Sequence, residues 1–200
     1  ALGEFGSPKS VEILLQITED IKQTQCMNII LHSCHKIGKR NQIPQLYSDQ
    51  LEEFIQKILE QAYLKVHFIH LTESIEKNIL LIDHFQIELK REIERIFIIL
   101  DILYPDNMTR TYINKLNSTN RTIIENVLEI IENQYPDKIR QKLMPLIDET
   151  SMEEILNSET TFIKSNIQSI DDLIIDLAAS ENHWESALAI DAIINNHLVS

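Results

Sequence analysis

The sequence predicts an all-α fold, and three observations support this prediction. Beyond the first eight residues the chain has one glycine, Gly38, so the glycine-dependent turns of β-hairpins are nearly absent. Apolar residues recur at helical spacing rather than at every second position. Proline, serine and asparagine separate the apolar segments, as expected where helices begin and end. We expect antiparallel helix hairpins stacked as a HEAT-like α-solenoid.

Two apolar stripes define the central helices. The first runs over 89–103 and stops before Pro105, which cannot continue a helix. The second runs over 123–131, and its glutamates are free to face solvent. Pro136 suits the first turn of the following helix, and Ser180 suits the N-cap of the last one. In chain order the predicted helices are 9–19, 22–38, 48–72, 76–103, 107–116, 120–134, 137–148, 151–157, 167–179 and 181–198.

The domain organisation follows from the same pattern. The opening ALGEFGSPKS resembles a cloning remnant, so residues 1–8 are expected to be a disordered leader. Residues 9–200 are then one helical-repeat domain, a size typical of a single domain or short repeat array. The clearest repeats are predicted at 106–148 and 166–198.

Composition and charge restrict the classes of partner. The formal net charge of −13 argues against binding nucleic acid or anionic lipid and favours a basic or mixed protein surface. The two cysteines are too few for a disulfide framework, which indicates a reducing compartment. No apolar run is long enough to cross a bilayer, and no signal peptide is visible. We therefore expect a cytoplasmic location without direct membrane insertion.

Residues 117–148 carry a family resemblance. Their sequence is NSTNRTIIENVLEIIENQYPDKIRQKLMPLID, a polar turn followed by two short helices. The segment ENVLEIIEN and the helix ending LMPLI resemble the HEAT-type repeat in the C-terminal soluble regions of bacterial membrane proteins related to nucleotide (ATP/ADP) translocases. This family usually has alanine where Glu125 and Val127 stand here.

The last repeat extends this resemblance. LIIDLAASENHWESALAIDAI is similar to the family's next repeat, in which a turn with tryptophan leads into a helix of small residues, although Glu185 and Ser186 replace the usual basic residue. The segment from Phe85 to Pro105 resembles the long helix upstream. The resemblance implies that the chain is the cytoplasmic part of a larger transporter-like protein, which can also include a cyclic-nucleotide-binding domain.

Four residues are identified as structural repeat positions: Asn126, Glu129, Pro145 and Trp184. Asn126 is either an exposed amide or, as we prefer, a partly buried amide that fixes the geometry of the turn. Trp184 is either an anchor for a ligand or partner or a ring packed between two helices. We prefer the packed ring, because Trp184 leads an apolar stripe that continues through Ala187, Ile190, Ile194 and Leu198.

Two groups of histidines and cysteines are candidate metal sites. Cys26, His32, Cys34 and His35 lie within ten residues, but their spacing is unlike that of zinc knuckles. His67 and His70 stand three apart, without the HExxH spacing that supplies two ligands and a base. We expect neither group to bind metal, and no cofactor is predicted.

No catalytic motif is visible in the sequence. A single internal glycine practically excludes Gly-rich phosphate loops and nucleophile elbows. The carboxylates Glu88, Glu92 and Glu94, and the Glu94–Arg95 pattern, are predicted to be solvated faces of a helix. The expected function is a non-catalytic scaffold that binds a protein or another domain of the same polypeptide. The alternative is a helical module that binds a small apolar ligand or lipid between its helices.

Overall fold

The computed structural model describes residues 2–20, 24–40, 47–73, 79–104, 121–148, 155, 167 and 169–196. All regular secondary structure within these ranges is helical, which confirms the all-α prediction. The helices are α1 (Leu2–Phe5), α2 (Pro8–Asp20), α3 (Thr24–Arg40), α4 (Ser48–Glu73), α5 (Ile79–Leu103), α6 (Arg121–Gln134), α7 (Asp137–Ile147), α8 (Ile170–Ala178) and α9 (His183–Asn196).

Helices α2 to α9 begin and end within three residues of the predicted bounds, because amphipathic spacing and capping residues are local signals. The predicted helix 107–116 lies outside the described residues, as does 151–157 apart from residue 155, which is helical. Parts of both predicted repeats also lie outside them, so the solenoid arrangement stays a prediction.

The first residues contain a helix where a disordered leader was expected. Helix α1 packs on α3, and Gly3 is buried. A Cβ atom on Gly3 would lie 3.0 Å from the Cα atom of Ser33, so a larger residue would crowd this close approach. The Glu4 carboxylate pairs with Lys36, and the Arg40 guanidinium donates to the backbone oxygens of Gly3 and Glu4. These contacts order the segment, whose vector origin stays a prediction.

The chain divides into two compact units, and the single domain expected over 9–200 stays a prediction. Unit 1 comprises Ala1–Leu59 and Glu92–Asp148, and unit 2 comprises Glu60–Arg91 and Glu149–Ser200. Each unit has its own cluster of buried apolar side chains. In unit 1, α2 contacts α3 and α6 contacts α7. The largest fully buried side chains of its cluster are Phe97, Leu31, Ile37, Leu51, Ile55, Leu59 and Ile96.

Unit 1 also buries polar side chains that the sequence placed in solvent. Glu92 and Arg95 on α5 are both buried, and an Arg95 Nη donates to Glu92 Oε1 over 2.6 Å. Arg95 Nε donates to the Asn28 amide oxygen on α3 over 2.8 Å. The predicted solvated face was therefore wrong at these positions, because charged groups can be buried where they are paired and hydrogen-bonded. Glu88, in unit 2, is similarly buried and accepts a hydrogen bond from Arg91.

A second polar contact joins the same two helices. The His35 ring on α3 is in contact with the carboxylate of Asp101 on α5, and Lys39 Nζ lies 3.6 Å from the same oxygen, Oδ2. Asp101 is only 5% exposed, so His35 and Lys39 both contact one buried carboxylate. Helices α3 and α5 are thus held by specific polar contacts as well as by apolar packing.

The apolar cluster of unit 2 is assembled from four helices. Phe68 and Ile69 come from α4, and Leu81 and Phe85 come from α5. The rings of Phe68 and Phe85 are tilted at 53° with centroids 5.2 Å apart, a favourable aromatic geometry. The remaining members lie on α8 and α9, namely Leu173, Ile174, Leu177, Leu188, Ala189 and Ala192. No helix within the described ranges combines the length and apolar character that a membrane span requires.

Candidate interaction surface

Helix α8 begins at a capping box. The Ser169 hydroxyl accepts a hydrogen bond from the Asp172 backbone N–H over 3.2 Å, and the Asp172 carboxylate accepts one from the Ser169 N–H over 3.2 Å. The acidic residues Asp171 and Asp172 also suit the positive end of the helix dipole. This local signal fixes where α8 starts, and the spacing of Leu173, Ile174 and Leu177 then decides which side faces the unit 2 cluster.

The connection to α9 is short and hydrogen-bonded. The Asn182 side chain, rather than the predicted Ser180, caps α9 by accepting the Trp184 N–H over 3.1 Å. Ser180 accepts the Asn182 N–H and directs its own hydroxyl to Glu185 over 2.7 Å. Ser186 Oγ donates to the Ala178 carbonyl oxygen over 3.2 Å, which ties the start of α9 to the end of α8.

The inner side of α9 packs on α8 and on the unit 2 cluster. Leu188, Ala189 and Ala192 are buried, while most other residues of the helix are exposed. Two of the three buried residues are alanines, and small side chains allow a neighbouring helix to approach closely. The inner side therefore packs α9 against unit 2 through small side chains.

The opposite side of α9 is also apolar, and it is exposed. Trp184 is 58% exposed, Ile190 51% and Ile194 67%, and Ala187 is exposed with them. We call these four residues the outer face of α9. They are the described members of the stripe predicted to pack inside, so that orientation was wrong, and the Trp184 ring is not buried. On α8, Ile175 is 68% exposed as well.

The α8–α9 hairpin has a one-sided charge. Residues 169–196 contain no lysine or arginine. Six carboxylates lie in the same stretch: Asp171, Asp172, Asp176, Glu181, Glu185 and Asp191. Asp176 follows the exposed Ile175, and Asp191 stands two helical turns after Trp184, so carboxylates accompany the apolar side chains. The surface therefore offers apolar contact together with negative potential.

A serine, a histidine and a glutamate meet where α9 begins. His84 Nε2 lies 3.7 Å from Glu185 Oε1, at ion-pair distance. The His84 imidazole lowers the pKa of Glu185, helped by the hydrogen bond from Ser180 and by the Lys65 charge and opposed by burial. The Ser180 hydroxyl donates to the carboxylate rather than to the imidazole, so it is not activated as a nucleophile. The arrangement stabilises an ionised Glu185 and anchors the turn.

The other predicted repeat positions lie in unit 1. Asn126 and Glu129 are exposed on α6, so the amide of Asn126 does not occupy the partly buried site that we preferred. The Glu129 carbonyl oxygen accepts a hydrogen bond from the Asn133 side chain over 2.8 Å. Pro145 is half-buried inside α7, and the Asp148 N–H closes that helix on the Met144 carbonyl oxygen over 2.8 Å.

The candidate metal ligands have different surroundings. Cys34 is buried, and burial raises its pKa to about 12, so it stays a neutral thiol. His35 turns to Asp101, and His32 is exposed. His67 Nε2 lies 3.0 Å from the Ile167 carbonyl oxygen. Across the described part of the chain, no three His, Cys, Asp or Glu side chains are grouped so that they could hold a metal ion.

Sequence reasoning missed the outer face of α9 as a surface, although one signal for it was present. Nearly every position from Ala187 to Ile194 is apolar, so periodicity cannot show which side is buried. The usable signal for an interaction surface was the absence of lysine and arginine over 169–196. A hairpin with only a structural role is not expected to carry charges of one sign alone.

Comparisons with known proteins give this chain no relative. No family model, no curated protein and no solved structure matches the chain significantly.

Proposed function

We propose that this chain is a non-catalytic helical-repeat domain that binds a protein or another domain of its own polypeptide. The observation that carries the proposal is the outer face of α9, where Trp184, Ile190 and Ile194 are each more than half exposed. Large exposed apolar side chains that follow one another on a single helix face are typical of an interaction surface. Tryptophan in particular is enriched among the residues that dominate binding energy.

The internal polar contacts support a scaffold rather than an enzyme. The buried charges of unit 1 are engaged with one another, and Ser180 and His84 of unit 2 both serve the Glu185 carboxylate. These groups stabilise helices instead of converging on an open site. In this proposal the helices form a HEAT-like α-solenoid, and the domain is the cytoplasmic part of a larger bacterial, transporter-like protein, as the sequence resemblance implies.

Site-specific crosslinking in the native cell tests the proposal. A photoreactive benzophenone amino acid replaces Ala187 at the centre of the outer face, in the full-length protein. We expect irradiation to trap one or a few defined protein adducts, or an intramolecular crosslink. The matched control carries the same amino acid at Gln141, an exposed polar position on α7. Equal or weaker crosslinking at position 187 than at position 141 would contradict an interaction surface on α9.

A further inference from the structure

We infer that the outer face of α9 binds a basic amphipathic helix, one whose apolar stripe is flanked by lysine or arginine. This inference rests on the proposed function and names the chemistry of its partner. It is carried by two independent observations, the exposed apolar side chains of α9 and the exclusively acidic character of the α8–α9 hairpin.

The arrangement of the outer face suits a helix. Trp184, Ala187, Ile190 and Ile194 follow one another at intervals of three or four residues and form a stripe along the helix axis. An amphipathic partner presents its own apolar residues at the same intervals, so the two stripes can meet along several turns. Ala187 lies between larger side chains and leaves room for a side chain of the partner.

The negative charge of the α8–α9 hairpin favours a partner that carries positive charge. Asp191 is exposed on α9 between Ala187 and Ile194, and Asp176 is exposed next to Ile175 on α8. The hairpin has no lysine or arginine that would compete for these carboxylates. Lysine and arginine can cover apolar surface with their methylene stems while their charged ends reach carboxylates. Such complementarity speeds association and excludes acidic partners.

The same charge disfavours the other occupants. Two copies of the chain would bring together two hairpins of six carboxylates each, without lysine or arginine on either one. Anionic lipid and nucleic acid would meet the same repulsion. A basic helix is therefore the occupant that satisfies both the apolar and the electrostatic character of the surface.

Trp184 allows a direct test, since it is the only tryptophan of the chain. Two synthetic peptides of about 18 residues, long enough to form several helical turns, share one leucine stripe and differ only in lysine against glutamate at the polar positions. We expect the lysine peptide to shift Trp184 emission to the blue and to bind at least about tenfold more tightly than the glutamate peptide. Raising the salt concentration should weaken the lysine complex.

Matched variants locate the binding. The double variant Asp176→Asn/Asp191→Asn should weaken the lysine peptide about fivefold at low salt, since each exposed charge pair contributes a fraction of a kcal/mol. The control Glu129→Gln/Glu132→Gln removes two exposed carboxylates from α6 and should leave the affinity unchanged. Ile194→Gln should weaken binding without changing the helical circular dichroism spectrum.

Other outcomes overturn the inference. Equal binding of both peptides, or of neither, excludes selection for a basic helix. If Asp176→Asn/Asp191→Asn and the control Glu129→Gln/Glu132→Gln weaken the lysine peptide equally, the net charge of the protein, rather than the hairpin, determines the affinity, and the inference is wrong. A dimer in sedimentation that Ile194→Gln abolishes identifies a second copy as the occupant, and an emission shift with phosphatidylcholine vesicles identifies lipid. If the lysine peptide fails while crosslinking at position 187 still traps a protein, this inference falls and the proposed function stands. If the lysine peptide does not bind and crosslinking at position 187 traps nothing, both the inference and the proposed function are wrong.

Discussion

Leu188 and Ile190 lie two positions apart on α9, and their surroundings differ completely. Leu188 is buried in the unit 2 cluster, whereas Ile190 is about half exposed on the outer face. Similar aliphatic side chains therefore have different roles. One stabilises the fold, and the other is available to a partner.

This difference predicts the cost of truncation. Leu188→Ala should lower the free energy of unfolding by about 2–5 kcal/mol, since it removes buried methyl groups and leaves a cavity. Ile190→Ala and Trp184→Ala should each cost about 1 kcal/mol or less, because their side chains already face water. Urea denaturation followed by circular dichroism measures all three. A loss for Ile190→Ala as large as that for Leu188→Ala would contradict the orientation of α9.

Glu185 predicts a pH dependence of stability. Its pKa is lowered from the ordinary glutamate value of 4.5, chiefly by the neighbouring His84 imidazole, so its ionised form is favoured in the folded state. The resulting stabilisation is complete above 4.5 and is lost as the pH falls through the lower folded-state pKa. Relative to the parent, Glu185→Gln should therefore lose stability at neutral pH but lose less on acidification below 4.5. Urea midpoints across this window, with Glu129→Gln as the exposed control, test the prediction; parallel curves would contradict it.

At the scale of elements, α3 and α5 show how a helix can bury charge. Arg95 reaches both Glu92 on its own helix and Asn28 on α3, and both contacts depend on the position of one guanidinium group. A buried ion pair is weak evidence for net stability, but in some proteins it contributes specificity of packing. We expect this pair to help fix which side of α5 meets α3.

A double-variant cycle tests this role. Arg95→Leu should destabilise the fold by about 3–5 kcal/mol, because it leaves the buried Glu92 carboxylate without its guanidinium partner. The double variant Glu92→Leu/Arg95→Leu should recover most of this loss, since two apolar side chains replace the pair. Chemical denaturation of the single and double variants measures the coupling. Losses that simply add would show that the two groups do not act as a pair.

The positions of the elements were predictable, but their orientation was only partly so. The stripe of α5 contrasts apolar with charged residues, and its buried members Ile96 and Leu100 follow the predicted stripe. Helix α9 offers no such contrast, since alanine and isoleucine occur on all of its sides. Its outer face was therefore predicted to be buried. Arg95 and Glu92 were predicted to be solvated for another reason. The sequence of an i, i+3 ion pair is the same whether the pair lies in solvent or in the core. The residue that shows it is buried, Asn28, contacts Arg95 but is distant from it in sequence.

The described part of the chain contains two apolar clusters, and they share no residue. Each cluster lies within one compact unit, and α8 and α9 belong entirely to unit 2. Local contacts such as the Ser169 capping box specify these elements, whereas the assignment of residues to two units depends on contacts between distant segments. Hydrophobic spacing carries no information about such contacts, so the sequence alone could not show these two units.

Separate clusters predict a separable response to substitution. Ile174→Ala in unit 2 should reduce hydrogen-exchange protection in α8 and α9 more than in α6 and α7, because the lost contacts belong to the unit 2 cluster. Ile131→Ala in unit 1 should produce the reverse pattern. Hydrogen exchange followed by mass spectrometry of peptic fragments measures both. Identical protection changes in all four helices would show a single cooperative unit.

The missing basic residues of the α8–α9 hairpin have a practical consequence for anyone who maps its contacts. Trypsin has no cleavage site over 165–200, and amine-reactive reagents find no lysine there. Surveys with amine-reactive crosslinkers would leave this surface blank even while a partner occupies it, and tryptic digestion would report it only within one long peptide. Its contacts become visible through carboxyl-directed reagents or through proteases that cut at acidic or aromatic residues.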